Sequence, residues 1–317
     1  MAVIDIDGLT KDYGEVLAND DLTFTVETGE IFGYLGPNGA GKTTTIRMLL
    51  GFMRPTSGTA TVLGTDVHDR RETVAVKHRI GYLSDAPGFD ESATGQEILD
   101  LHAAIRGDER SDELLELFDP PLSRQIRDYS RGNKQKLGLV TTFMHDPDLV
   151  ILDEPTNGLD PLMKQRFADF LRAERDDGLT VLLSSHVLSE VRRLCDRVGI
   201  IRNGRLVTVD PVDTLLERTG KVVRIDSAEP IHRSHLDFEG VHDLEFADLP
   251  GEAADTADEP SVAQSPPETF TECAFTYTGD INELVARLPE ADLRDLAIEE
   301  APLEDVFLRF YGGEEDA

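Results

Sequence analysis

The 317-residue chain carries 62 acidic residues against 31 Lys and Arg, a formal net charge of −31. A surface this acidic repels phosphate backbones, which argues against nucleic acid as a partner, and its self-repulsion is relieved by screening salt. With 39% hydrophobic and 29% charged residues the composition is that of a globular protein, and no run reaches the roughly 18 consecutive apolar residues of a spanning helix.

The opening residues, Met1 to Asp7, lack the basic and apolar regions of a secretory signal. A cytoplasmic chain is expected, with any membrane role supplied by a partner. Within the first 30 residues, Val3-Ile4-Asp5-Ile6 and Leu22-Thr23-Phe24-Thr25-Val26 alternate apolar and polar positions and predict antiparallel strands. The apolar run Ile31 to Leu35 enters a glycine-rich turn, and a helical pattern follows from Lys42 to Leu50. Ser57 to Leu63 and Arg79 to Leu83 read as further strands. From Gly95 the period becomes helical, with Ile98, Leu101 and Ile105 on one face, then Leu114, Leu115 and Phe118, then Leu137, Val140 and Met144. Strand-like Leu149 to Leu152, Thr180 to Ser184 and Val198 to Ile201 alternate with helical stretches, which predicts a parallel sheet with crossover helices.

A second unit begins near Pro211. Val222 to Ile225 and Phe270 to Tyr277 are its strand candidates, while Ile281, Leu284, Val285 and Leu288, and again Leu303, Val306, Phe307 and Phe310, follow helical spacing. Pro250 to Glu268 has four prolines, five acids and no basic residue, and predicts a disordered loop. Cys195 and Cys273, without metal-ligand spacing, read as isolated thiols at apolar positions.

Two motifs carry chemistry. Gly36-Pro37-Asn38-Gly39-Ala40-Gly41-Lys42-Thr43 fits GxxxxGK(S/T): its glycines let backbone N–H groups turn inward around phosphates, and the following helix offers its positive end. Lys42 supplies a point charge to the β- and γ-phosphates, and the Thr43 hydroxyl is suited to magnesium. Leu149-Val150-Ile151-Leu152-Asp153-Glu154 reads as a buried strand delivering two carboxylates, Asp153 for hydrated magnesium and Glu154 to accept a proton from an attacking water. Together they point to a P-loop NTPase.

The residues between and after them narrow the kind. Tyr129-Ser130-Arg131-Gly132-Asn133-Lys134-Gln135 resembles the LSGGQ signature of ABC ATPases in the looser form of export-type subunits. Asn157-Gly158-Leu159-Asp160 looks like the D-loop, His186 like the switch histidine, and Tyr13 stands where that family places an aromatic ring on adenine. The resemblance implies an α/β fold with a mixed sheet core, an antiparallel β subdomain and a helical insert. Residues 1–215 would form the nucleotide-binding domain, with the insert at about 88–147. Residues 216–317 would form a small α/β accessory domain whose disordered loop spans about 250–268. It further implies a head-to-tail homodimer in which ATP and Mg2+ are held by the phosphate loop, through Thr44, of one copy and by Ser130 and Gly132 of the other, with Asp160 also a nucleotide-binding residue. Catalytic roles fall to Lys42, Glu154 and His186. The implied function is the ATP-hydrolysing motor of an export-type transporter, coupling dimer closure to substrate movement by a separate membrane permease and lying at the inner face of the membrane. The alternative within the family is a non-transport ATPase acting on nucleic acid or ribosomes.

Two residues depart from the pattern. Asp85 stands where a glutamine is usual, able to accept hydrogen bonds or to help hold magnesium through water. Arg131 replaces a glycine of the signature, either assisting phosphate binding or pointing at solvent. The charge itself suggests adaptation to a salt-rich cytoplasm. Thermal unfolding should then rise in midpoint between about 0.1 M and about 1 M KCl, where the Debye length falls to about 3 Å; equal stability at both concentrations refutes the adaptation.

Overall fold

The computed structural model describes residues 2–246, 269–288 and 292–300. Its two compact units divide after Val212. In the first, β1 (Ala2–Asp12) and β2 (Leu17–Glu27) pair antiparallel, with Ile4 opposite Val26 and Ile6 opposite Phe24, so the alternating apolar positions share one buried face. After β3 (Ile31–Leu35) and α1 (Lys42–Leu49), the chain returns as β4 (Ser57–Val62) to pair with β1, and β5 (Thr65–Asp66) completes a sheet of order β2-β1-β4-β5.

Then come α2 (Arg70–Lys77) and β6 (Ile80–Leu83), followed by the helices α3 (Gly95–Arg106), α4 (Ser111–Phe118) and α5 (Arg131–Phe143). The remaining elements of the unit are β7 (Leu149–Asp153), α6 (Pro161–Asp176), β8 (Thr180–Ser185), α7 (Leu188–Leu194), β9 (Arg197–Arg202) and β10 (Arg205–Pro211). They build a six-stranded sheet of order β10-β9-β3-β8-β7-β6. Five strands are parallel and β10 pairs antiparallel with β9, so the sheet is mixed, as the family resemblance implies. The turn between them is Asn203-Gly204, both at positive φ (48° and 78°), the pair that tight hairpins favour.

In the helical segment, Thr94 and Glu97 form a reciprocal cap at the start of α3. Its buried face is Ile98 with Leu99, whereas Leu101 and Ile105 are 53% and 60% exposed. The face expected from spacing is therefore wrong beyond Ile98: the helix is anchored by its first turn and leaves two large apolar side chains uncovered.

The second unit starts within α8 (Val212–Thr219) and holds β11 (Lys221–His232), β12 (Val241–Phe246), β13 (Thr269–Tyr277), α9 (Ile281–Arg287) and β14 (Leu293–Glu300). Its antiparallel sheet runs β12-β13-β11-β14 around a core of its own that includes Val223, Ile225, Phe275 and Leu284. On α9, Leu284 is buried but Val285 is half exposed. The loop expected at about 250–268 and the face Leu303, Val306, Phe307 and Phe310 lie outside the described residues.

Both cysteines are free and buried. A Cβ on Gly33 would come within 2.9 Å of Cys195 Sγ, so α7 can close on β3 because residue 33 has no side chain. Burial pushes both thiols up, Cys273 to about 12. Among the described residues no helix is long and apolar enough to cross a membrane.

One buried group makes the fold sensitive to acid. His145, in the turn after α5, is 7% exposed, and neither ring nitrogen has a hydrogen-bond partner. Burial first, and the Arg106 guanidinium second, lower its pKa from the ordinary histidine value to about 4. The unfolded chain therefore takes up this proton first, and the stability present above the unfolded pKa drains away as pH falls toward the folded one. Between pH 7 and pH 5, His145→Gln should lose less stability than the unaltered chain, by on the order of 1 kcal/mol, in urea titrations at matched salt.

Candidate active site

The sheet order sets β3 beside β8 and β8 beside β7, all parallel, so the loops after their C-terminal ends open on the same side. A cavity of about 470 Å³ lies there, lined by residues 37–44 together with Asp85, Asp153 and Glu154. Residues 37–44 lead into α1, whose N-cap Gly41 (φ 108°) offers no capping side chain, and no acidic residue occupies the first turn. The first N–H groups of the helix are thus free of an internal acceptor, a natural anion site. Two close approaches require glycine here: a Cβ on Gly41 would fall 2.4 Å from the Ala18 carbonyl oxygen, and one on Gly36 would fall 2.5 Å from that of Ile201.

Lys42 is buried and donates to the Gly36 carbonyl oxygen at 2.6 Å, with a weaker bond to that of Pro37 at 3.3 Å. The Thr43 hydroxyl donates to Asp153 Oδ2 at 3.0 Å, and Ser184 Oγ donates to Asp153 Oδ1 at 2.5 Å. Ser184 ends the apolar run of β8, and the reading from sequence gave it no part; its place beside Asp153 follows from the β7–β8 register. A hydroxyl and a carboxylate in contact are hard oxygen donors, which suits Mg2+ bound mainly through substrate phosphates and water.

Glu154 follows β7 in the left-handed region (φ 52°), held by its N–H to the Ser184 carbonyl at 3.1 Å and its carbonyl to the Asn157 N–H at 3.2 Å. His186 Nδ1 lies 2.8 Å from Glu154 Oε2. The other oxygen, Oε1, is buried 3.5 Å from Lys42 Nζ and receives no hydrogen bond. A carboxylate oriented by a histidine, with one oxygen that accepts no hydrogen bond beside a phosphate loop, has the make-up of a base for water.

Of the other expected residues, Tyr13, Ser130 and Asp160 fall outside the cavity, and Asp85 lines it. Tyr13 is 53% exposed and not among the cavity-lining residues: its hydroxyl contacts Met53 Sδ at 2.9 Å, and Lys11 Nζ lies 5.1 Å from the ring centroid. Val16, Leu17 and Ala18 of the same hairpin, with Asn203 and Gly204, line the cavity instead. Ser130 Oγ caps α5 by accepting from the Asn133 N–H at 3.2 Å, and Asp160 caps α6 by accepting from the Met163 N–H at 2.9 Å. Asp85 accepts from Arg131 and Asn157 on one oxygen. A larger open cleft of about 660 Å³ lies at Arg79, Arg110, Asp148 and Glu174, but its two arginines are paired with the neighbouring carboxylates, and it lacks a phosphate loop.

Residues 19–157 match the family model described as ABC transporter. The chain is 39% identical over 256 residues to the bacitracin transport ATP-binding protein BcrA of Bacillus licheniformis, covering 77% of this chain and 81% of that one. The chain belongs to the ABC transporter family. It is an ATP-binding subunit with the ATPase fold of that family, α/β with a mixed sheet core. The Nod factor export ATP-binding protein I of Paraburkholderia xenovorans is 35% identical over 326 residues, covering 99% and 98% of the two chains. Among solved structures, an ATP-binding subunit of an ABC transporter superposes with a TM-score of 0.62 at 32% identity, covering 68% of this ABC ATPase and 92% of that chain. A dimeric cassette bound to ADP and phosphate superposes with a TM-score of 0.61 at 19% identity, covering 66% and 98%, and shares the fold.

Proposed function

We propose that this ABC ATPase is the motor of an exporter, working as a homodimer against a membrane permease carried on a separate chain. The observation that carries the reading is the 3.0 Å contact between Thr43 and Asp153, residues 110 apart, which joins the phosphate loop to the strand-end carboxylates. Lys42 exchanges its carbonyl partners for β- and γ-phosphate oxygens, and the N-terminal N–H groups of α1 hold the same phosphates. Magnesium, held by Thr43 and Asp153, would neutralise charge on the β- and γ-phosphates. Glu154 takes a proton from the attacking water through the oxygen that accepts no hydrogen bond, while His186 holds the carboxylate in place and would contact the γ-phosphate. Ser130 and Gly132, at the start of α5, complete the partner's site, so closure of the dimer gates hydrolysis.

Export as the direction is supported by the relatives named for bacitracin transport and for Nod factor export. The uncovered pair Leu101 and Ile105 on α3 supports permease docking at the helical segment, because large apolar side chains one turn apart fit a partner's groove. The acidic surface supports work in a salt-rich cytoplasm, and docking on the permease would hold the motor at the inner face of the membrane.

Glu154→Gln should bind ATP, accumulate as a dimer in size-exclusion chromatography and hydrolyse at least about a hundredfold more slowly; hydrolysis at the original rate removes Glu154 from the chemistry and the motor reading with it. Leu101→Asp with Ile105→Asp should abolish co-purification with a hydrophobic membrane protein from native membranes while ATPase activity stays within about twofold. Co-purification left intact rejects that face as the docking site.

A further inference from the structure

The two residues that depart from the family pattern touch each other. Arg131 Nη2 donates to Asp85 Oδ1 at 2.8 Å, and the same oxygen accepts from Asn157 Nδ2 at 2.7 Å. The stem of Arg131 crosses Gly158, where an added Cβ would lie 3.0 Å from Arg131 Cγ. A Cβ on Gly132 would in turn lie 2.5 Å from the Gly158 carbonyl oxygen. One turn further, buried Gln135 donates to the Pro155 carbonyl at 2.9 Å. The first turn of α5 is thus fastened to the segment just after Glu154, and through Arg131 to the loop after β6.

The two ends of this connection serve different places. Asp85 lines the nucleotide cavity of its own chain. Ser130 and Gly132, which flank Arg131, are on the proposed dimeric reading presented to the partner's nucleotide. We infer that Asp85 and Arg131 are a matched pair of positioning residues, through which the state of one nucleotide site sets how the start of α5 is offered to the other. The inference rests on the motor reading above.

Chemistry favours a matched pair over two independent substitutions. Neutral glutamine at 85 would leave the guanidinium without its carboxylate, and glycine at 131 would leave the carboxylate without its cation; together they form a charge-assisted bond. Arg131 and Asp85 are 62% and 46% exposed, so the pair adds little to stability, and orientation is what it has to offer.

The test uses the full-length chain, with ATP hydrolysis followed against ATP and Mg2+ concentration for Asp85→Gln, Arg131→Gly and the double variant. Each single variant should lower kcat about fivefold, leave KM for ATP within about twofold and reduce the Hill coefficient, with an unchanged unfolding midpoint. The double variant should recover to within about twofold of the original kcat, because neither charge is then left over. Multiplying losses in the double variant would overturn the pairing. A raised Mg2+ requirement in Asp85→Gln alone would overturn it in favour of a metal-binding carboxylate, and a lowered midpoint in either single variant would reduce the pair to a structural contact. Loss of activity in Glu154→Gln together with multiplying losses here refutes the pairing and leaves the motor reading standing.

Discussion

Parallel pairing of β3 with β8 and of β8 with β7 is the constraint on which the site depends. In a parallel sheet all carboxyl ends point the same way, so a glycine loop after one strand and carboxylates after another meet without any long-range search beyond the register. The register supplies the detail: Asp153 stands opposite Ser184, whose hydroxyl fixes one carboxylate oxygen and leaves the other to Thr43. A one-residue slip would send Asp153 to the opposite face of the sheet and undo the contact.

The site also holds backbone strain. A glutamate in the left-handed region costs about 1–2 kcal/mol, and here hydrogen bonds from the end of β8 and from Asn157 maintain it. The same turn carries Glu154 away from the line of β7, so that Asp153 and Glu154, adjacent in sequence, serve different partners: one faces Thr43 and Ser184, the other Lys42 and His186. Division of labour between neighbouring carboxylates is therefore a property of one φ angle.

Much of this was legible in the sequence because it is local. The phosphate loop announces itself through glycine spacing, β7 through an apolar run ending in two acids, and α3 through the change to a helical period at Gly95. What escaped was set by tertiary contact. Neither β5 nor α2 carries an apolar period long enough to declare itself, and β14, Leu293-Arg294-Asp295-Leu296-Ala297-Ile298-Glu299-Glu300, lacks the two-residue alternation by which a strand is read. β10 was signalled by Asn203-Gly204, a turn pair that went unread. Leu101 and Ile105 keep helical spacing, yet spacing cannot say whether a face has something to pack against. Nor could Arg131, poised between phosphate and solvent on sequence grounds, declare that its partner lay 46 residues upstream at Asp85.

The burial of both cysteines has a practical corollary. Cys195 is closed over by β3 and Cys273 sits in the core of the second unit, each with its thiol held in the unreactive, protonated form. The native chain therefore offers no background to maleimide chemistry, and one cysteine introduced on its surface becomes a unique attachment point for a fluorophore or spin label with no prior removal of the natural pair.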